Sequence, residues 1–397
     1  MVWLAVAQVA FAAPAQHART VSARPHTYHP DDANTRSGFE HFYNLDYDRA
    51  VRNFEVSLKE HPDSAFAVNH LLTAVLFREL YRIGLLDTAS YASNGFVNEA
   101  HRPADPKVKL RIKELIYQAS QLSEKRLAEN PKDVDALYAR GVTRGLLSTY
   151  TGLVERSWFA ALRSALAARH DHQRVLELSP DYIDAKLIVG IHNYVVGSLP
   201  MAVKVGVAVV GIGGSKNKGI EYLNEVAHSD SEAGIDAKIA LALFLRREQL
   251  YSQALENVRS LIAAYPQNFL FAMEEPNLLR ASGQMDTAAG LYRTIFQNGR
   301  EGHFPHGHYE KAAYELGETL RSQKNYLGAA EAYSLVEQVP KADPDTRQNA
   351  NLAAGEMYDM LRKRELAMKK YQAVVEENSS TAPADVARKY LKQAYRE

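Results

Sequence analysis

The chain has 397 residues, with 47 basic and 47 acidic side chains and a formal net charge of zero; 24% of it is charged and 46% apolar. This balance excludes a disordered chain, leaves room for several domains or one long repeat array, and gives no overall electrostatic signature for nucleic acid. It has no cysteine, which excludes disulfides, thiolate metal sites and a cysteine nucleophile.

Residues 1–12, MVWLAVAQVAFA, form an apolar run that closes on Ala10-Phe11-Ala12. The small-x-small ending is that of a secretory signal peptide, although no Lys or Arg precedes the run. An ordinary apolar helix is the alternative, because the run is too short to span a bilayer comfortably. The expectation is an exported protein, periplasmic or secreted. Residues 13–30 mix Pro, His, Arg and Thr without periodicity and read as a flexible linker.

From residue 31 the chain breaks into pairs of helical patterns joined by short turns. In the first pair Gly38 takes a small position on one helix, and Ala50, Phe54 and Pro62 follow on the next, with the turn at Asn44–Tyr47. A long second helix starts near Ser64. It is followed by an insertion over 85–106, and its partner helix resumes at Lys107 and carries Ala119. The third pair holds Leu137, Gly141 and Ala168, with an insert of roughly fifteen residues, measured against a repeat of about 34 residues, around Trp158 and Phe159. The fourth holds Gly190, Gly219 and Leu223, with a comparable insert between its helices. The rest is more regular: Ala242, Ala254 and Pro266; Ala288 and Tyr292; Gly317, Ala329 and Tyr333; then Gly355, Tyr358, Ala367 and Tyr371. Residues 383–397 read as a charged amphipathic helix of the kind that caps a solenoid. The predicted division is therefore 31–233 for divergent units with inserts, 234–382 for regular units and 383–397 for the cap.

The stretch KAAYELGETLRSQKNYLGAAEAYSLVEQVP, residues 311–340, resembles the tetratricopeptide repeat (TPR): Leu316-Gly317 on one helix, then Ala329, Tyr333 and a closing Pro340 on the next. Small residues at Gly317 and Ala329 let the paired helices approach, and Tyr333 fills the space beside them. One hairpin cannot bury its apolar face alone, so it needs neighbours. The resemblance implies an all-α solenoid over nearly the whole chain after the linker. A narrower resemblance to the Iml2/TTC39-like group of TPR proteins rests on Gly190, Ser198, Leu199, Pro200, Gly211, Gly219 and Leu223, with Ile212 where that group has an aromatic. It implies no catalytic residue.

Several constellations invite chemistry. Residues 203–219, VKVGVAVVGIGGSKNKG, put glycines before lysines, but Ser215 precedes Lys216, the reverse of a P-loop, and Lys216 stands in the third glycine place of a dinucleotide loop. A helix-to-helix loop, phosphate binding and membrane contact remain the readings, with Pro200 and Lys204 interrupting any simple span. His303, His306 and His308 have ligand-like spacing, yet Gly302, Pro305 and Gly307 make the segment a loop, so metal binding and a solvated turn both stand. His170 and His172 face different ways on one helix. Glu274-Glu275 has no acid/base partner in sequence. No nucleophile elbow or His-Glu-x-x-His is present. The expectation is no enzyme, no cofactor, no resident metal and no nucleic-acid partner.

The resemblance implies that the first helix of each hairpin lines the concave groove. Four residues after the small packing position stand Arg246, Arg280 and Arg321, with Tyr314 one turn before Glu318. Arg and Tyr anchor partners in grooves, and a row of guanidiniums favours acidic peptides; the alternative is that three surface arginines fall in step by chance or pair with Glu318 and its neighbours. The expected function is therefore an exported, non-enzymatic scaffold that binds a protein or peptide. The alternative is a ligand-binding protein or enzyme whose site the inserts around Trp158 and Gly211 build.

Overall fold

A computed structural model describes residues 32–86, 102–199 and 213–397. The expected signal peptide and linker, most of the first insertion, and Pro200 through Ile212 lie outside the described residues. The helices in chain order are α1 Ala33–Tyr43, α2 Tyr47–Glu60, α3 Ala65–Arg82, α4 Pro106–Glu129, α5 Val134–Thr149, α6 Trp158–Leu178, α7 Ala185–Gly197, α8 Lys216–Ala227, α9 Gly234–Arg247, α10 Tyr251–Ala264, α11 Phe269–Ala281, α12 Met285–Arg300, α13 Glu310–Ser322, α14 Tyr326–Leu335, α15 Pro344–Met360, α16 Arg364–Glu377 and α17 Ala382–Lys392. No strand occurs among the described residues.

Helix starts follow from local chemistry. Asp32, Asp46, Ser64, Asp133, Asn268, Asn325, Asp343 and Thr381 each accept a backbone N–H three residues on, satisfying a donor that the first helical turn leaves over. The turn between paired helices repeats a left-handed residue: Leu45 (φ 65°), Gln249 (59°), Gly283 (86°), Lys324 (59°) and Arg362 (59°). Only Gly283 is free of the steric cost of that conformation.

Contacts divide the chain into two compact units, Met1–Leu261 and Ile262–Glu397. Within the first, consecutive helices from α1 to α9 pack on one another, and within the second those from α11 to α17 do; first helices of adjacent hairpins also touch, α3 with α5 and α13 with α15. The glycines mark the contacts within hairpins. A Cβ on Gly317 would sit 2.4 Å from Cε1 of Tyr333, and one on Gly355 2.4 Å from Cε1 of Tyr371. On Gly38 it would sit 2.6 Å from the Phe54 ring. Phe54, Tyr333 and Tyr371 are fully buried. The small-then-aromatic register expected from the repeat pattern is thus the packing register of the hairpins.

The structure gives the insert around Trp158 its conformation. It is helical. α5 runs on into a π-helical turn at Tyr150–Val154, and α6 opens at Trp158 and spans 21 residues. Ser148 Oγ donates to Ala161 O at 2.7 Å and Tyr150 OH to Glu155 at 3.0 Å, so the extension is tied down at both ends. The C-terminal segment also differs from one continuous cap. α17 ends at Lys392, and the residues after it return to the preceding hairpins: Tyr395 N–H donates to Asp359 at 2.8 Å, and Tyr326 OH to Glu397 at 3.0 Å.

Candidate functional site

The first helices of the hairpins present different surfaces in the two units. In the first unit that surface is closed. The segment before α9 and its first turn carry Glu232 and Asp236, and both reach other hairpins. Tyr43 OH on α1 donates to Asp236 Oδ1 at 2.9 Å, and His70 Nε2 on α3 lies 2.9 Å from Glu232 Oε1. Asp184, just before α7, accepts the Ala233 N–H at 2.9 Å. Tyr43, His70 and Asp236 are all buried. Burial, then the carboxylates of Asp184, Glu232 and Asp236, holds the Tyr138 hydroxyl in its protonated form well above the ordinary range. The chain reading missed this cluster, because Tyr43 and Asp236 are 193 residues apart. Arg246 lies half-buried on α9.

The second unit keeps a half-exposed strip along α11, α13 and α15. Arg280 on α11 pairs with Glu315 on α13 at 2.6 Å, and Arg321 on α13 pairs with Glu356 on α15 at 2.8 Å. Each arginine thus reaches the next hairpin's first helix. Arg321 also donates to Tyr395 OH at 3.1 Å. Tyr314 lies one turn before Glu318 with its ring 5.6 Å from that of Tyr333, whose hydroxyl donates to Glu318 at 2.6 Å. Burial raises the Glu356 carboxyl pKa; the Arg321 charge opposes this, and Glu318 and Glu397 reinforce it. Burial likewise raises the Tyr314 pKa, helped by Glu318 and Glu315.

Sequence reasoning placed Arg280, Tyr314 and Arg321 on this strip and offered Glu318 and its neighbours as alternative partners; the arginines take Glu315 and Glu356. The expected wall of uncompensated positive charge is, at Arg280 and Arg321, a ladder of ion pairs. A signal for the partners is present in the chain: Glu315 and Glu356 stand about one repeat after Arg280 and Arg321.

The other candidates resolve individually. Gly214 and Gly219 pack α7 against α8: a Cβ on Gly214 would sit 2.8 Å from Asn193 O, and one on Gly219 2.5 Å from Tyr194 N. Ser215 caps α8, and Lys216 Nζ pairs with Glu248 at 2.7 Å. Gly214 and Gly219 therefore meet protein backbone, a Cβ on Gly213 would meet nothing within 4 Å, and Gly211 lies outside the described residues. Among His303, His306 and His308, His303 Nδ1 faces Asn298 O at 3.0 Å and His308 Nδ1 faces Glu310 at 3.0 Å; the three do not form a ligand cluster. Among the described residues, Asp32, Glu60 and His61 are the one such group, and Asp32 there already accepts from Thr35 and Ser57. A cleft of about 610 Å³ opens between α8, α9 and α10, lined among others by Asn224, His228, Ser231, Lys238 and Ser260. Trp158 does not line it. No helix among the described residues is long and apolar enough to cross a membrane.

No protein-family model and no curated protein matches the chain. Among solved structures it is similar to the human IFIT1 dimer with m7Gppp-AAAA, at 13% identity, 93% of this chain, 84% of that chain and a TM-score of 0.39. A monomeric IFIT1 mutant with Gppp-AAAA gives 14%, 91%, 84% and 0.38. A tetratricopeptide repeat protein from Parabacteroides merdae gives 11%, 90%, 96% and 0.30. The fold is TPR-like. That statement rests on the hairpins themselves, with Gly317, Ala329 and Tyr333 in the packing positions. The ligand in the IFIT1 complexes is a property of IFIT1.

Proposed function

We propose that the protein is a non-enzymatic scaffold that binds a protein or peptide partner along the first-helix strip of its second unit, at Arg280, Tyr314 and Arg321. One observation carries this reading: arginines, a tyrosine and carboxylates stand half-exposed in a row, each arginine fixed by a pair to the next hairpin. Side chains immobilised before binding lose little entropy on binding, and Arg and Tyr are favoured anchors. The closed interior of the first unit supports placing the partner on the second. The test is a photo-crosslinking residue at position 314, used in the source cell. Specific capture of one or a few proteins, lost with Tyr314→Ala in a competing binding assay, is the expected result. Capture unchanged by Tyr314→Ala would defeat the assignment.

We also propose export, on the apolar run and the Ala-Phe-Ala site at its end. Mass spectrometry of the native protein is expected to find a mature N-terminus near Ala13. An intact Met1 in a cytosolic fraction would refute it.

A further inference from the structure

We propose that the partner segment seated on the strip of the second unit is basic, with a Lys or Arg side chain lying against Tyr314 between Glu315, Glu318 and Glu356. This rests on the function proposed above and fixes the charge of the partner.

The argument is one of charge balance. Along the strip around Tyr314 two arginines, Arg280 and Arg321, stand against four carboxylates, Glu315, Glu318, Glu356 and Glu397, and Arg396, exposed beside Glu397, offsets one more, which leaves one carboxylate over. Two carboxylates are used by the two arginines, Glu315 at 2.6 Å and Glu356 at 2.8 Å. The other two take hydrogen bonds from neutral hydroxyls, Glu318 from Tyr333 at 2.6 Å and Glu397 from Tyr326 at 3.0 Å. A tyrosine donor stabilises a carboxylate but leaves its charge in place. The strip therefore carries negative charge in excess.

The arginines are not available to reverse that sign. The Arg280 guanidinium lies over the Tyr292 ring at 5.7 Å and that of Arg321 over the Tyr395 ring at 5.9 Å, in addition to their carboxylate pairs. An acidic peptide would bring its carboxylates up to Glu315, Glu318 and Glu356. Like charges about 4 Å apart repel by roughly 1 kcal/mol in water and roughly 4 kcal/mol at the effective dielectric of a protein surface. A Lys or Arg meets the opposite field. It also meets a tyrosine face at Tyr314, which adds a cation–π contact.

The experiment uses the full chain and two labelled peptides of equal length, one alternating Lys and Ser, the other alternating Glu and Ser. Binding is followed by fluorescence anisotropy at low and high salt. The basic peptide is expected to bind, more weakly as salt screens the field, and the acidic one not to bind. Glu318→Gln with Glu397→Gln is expected to weaken the basic peptide about tenfold or more. Both changes keep an acceptor for the tyrosine hydroxyl and so should leave the fold intact, which circular dichroism checks. Glu331→Gln, on the exposed side of α14, is expected to change nothing. Preference for the acidic peptide, or basic binding indifferent to the double change, overturns the inference. If partner capture still depends on Tyr314 in those cases, the function proposed above stands and only the charge assignment falls. Failure of both peptides and of Tyr314-dependent capture overturns both.

Discussion

Gly317→Ala tests the packing register that underlies the whole interpretation. Two terms oppose each other. In a helix interior Ala is favoured over Gly by about 1 kcal/mol. Against that, the new Cβ would lie 2.4, 2.5 and 2.8 Å from three atoms of the Tyr333 ring, where carbon contacts are normally about 3.5–4 Å. The ring cannot move away, because it is fully buried and its hydroxyl is held by Glu318 at 2.6 Å. Overpacking of this kind costs about 1–3 kcal/mol, so the net expectation is a loss of roughly 0–2 kcal/mol, and a larger one for Gly317→Leu. Gly290 on α12 is the internal control, since no atom lies within 4 Å of a Cβ built there. Gly290→Ala should stabilise by about 1 kcal/mol. Urea or thermal melts followed by circular dichroism read both. Repeat arrays need not unfold in one step, so the comparison is between midpoints of the same transition. In a Tyr333→Leu background the penalty should shrink or vanish, which isolates the pairwise term. If Gly317→Ala stabilises as much as Gly290→Ala, helix packing does not limit this position and the register is wrong.

Acid should weaken the first unit through its histidines. Burial lowers the His172 pKa from 6.5 to about 4, and burial with the Arg169 charge brings His192 to about 4 as well. The unfolded chain takes up protons that the folded one refuses, so stability is full above about pH 6.5 and falls as pH drops towards 4. The His172 share is roughly 3 kcal/mol, and His172→Gln should flatten about half of the combined pH dependence in melts; an unchanged slope would show that His172 is not the cause. Tyr43→Phe removes the donor to buried Asp236 and should cost about 1.5–3 kcal/mol, with faster amide exchange in α1; unchanged protection would mean that the contact does not hold α1. Lys324→Gly relieves a left-handed residue in the α13–α14 turn and should raise stability by up to about 1 kcal/mol, whereas a loss would show that other contacts of Lys324 dominate.

The sequence by itself determined the hairpins. Gly38, Gly317 and Gly355, each followed by an aromatic one helix later, specify a close approach that only a missing Cβ permits, and Asp, Ser, Thr and Asn caps mark where the helices begin. Those signals are local, acting within one repeat, and so are legible along the chain. The first-helix location of Arg280, Tyr314 and Arg321 was legible for the same reason. The tertiary structure alone decided what those residues meet. Arg321 finds Glu356 about one repeat on, and Tyr395 from beyond the last hairpin, and which side chains actually meet there is set by how the hairpins stack. The same holds for Tyr43 with Asp236 and for His70 with Glu232, which close the first unit's interior. The insert around Trp158 is legible in the chain only as extra length, because spacing counts residues between packing positions but does not tell a loop from two lengthened helices. Net charge along a surface depends on which carboxylates converge in space. A chain whose formal charge is zero can therefore carry, on one strip of one unit, the negative excess that sets the sign of its proposed partner.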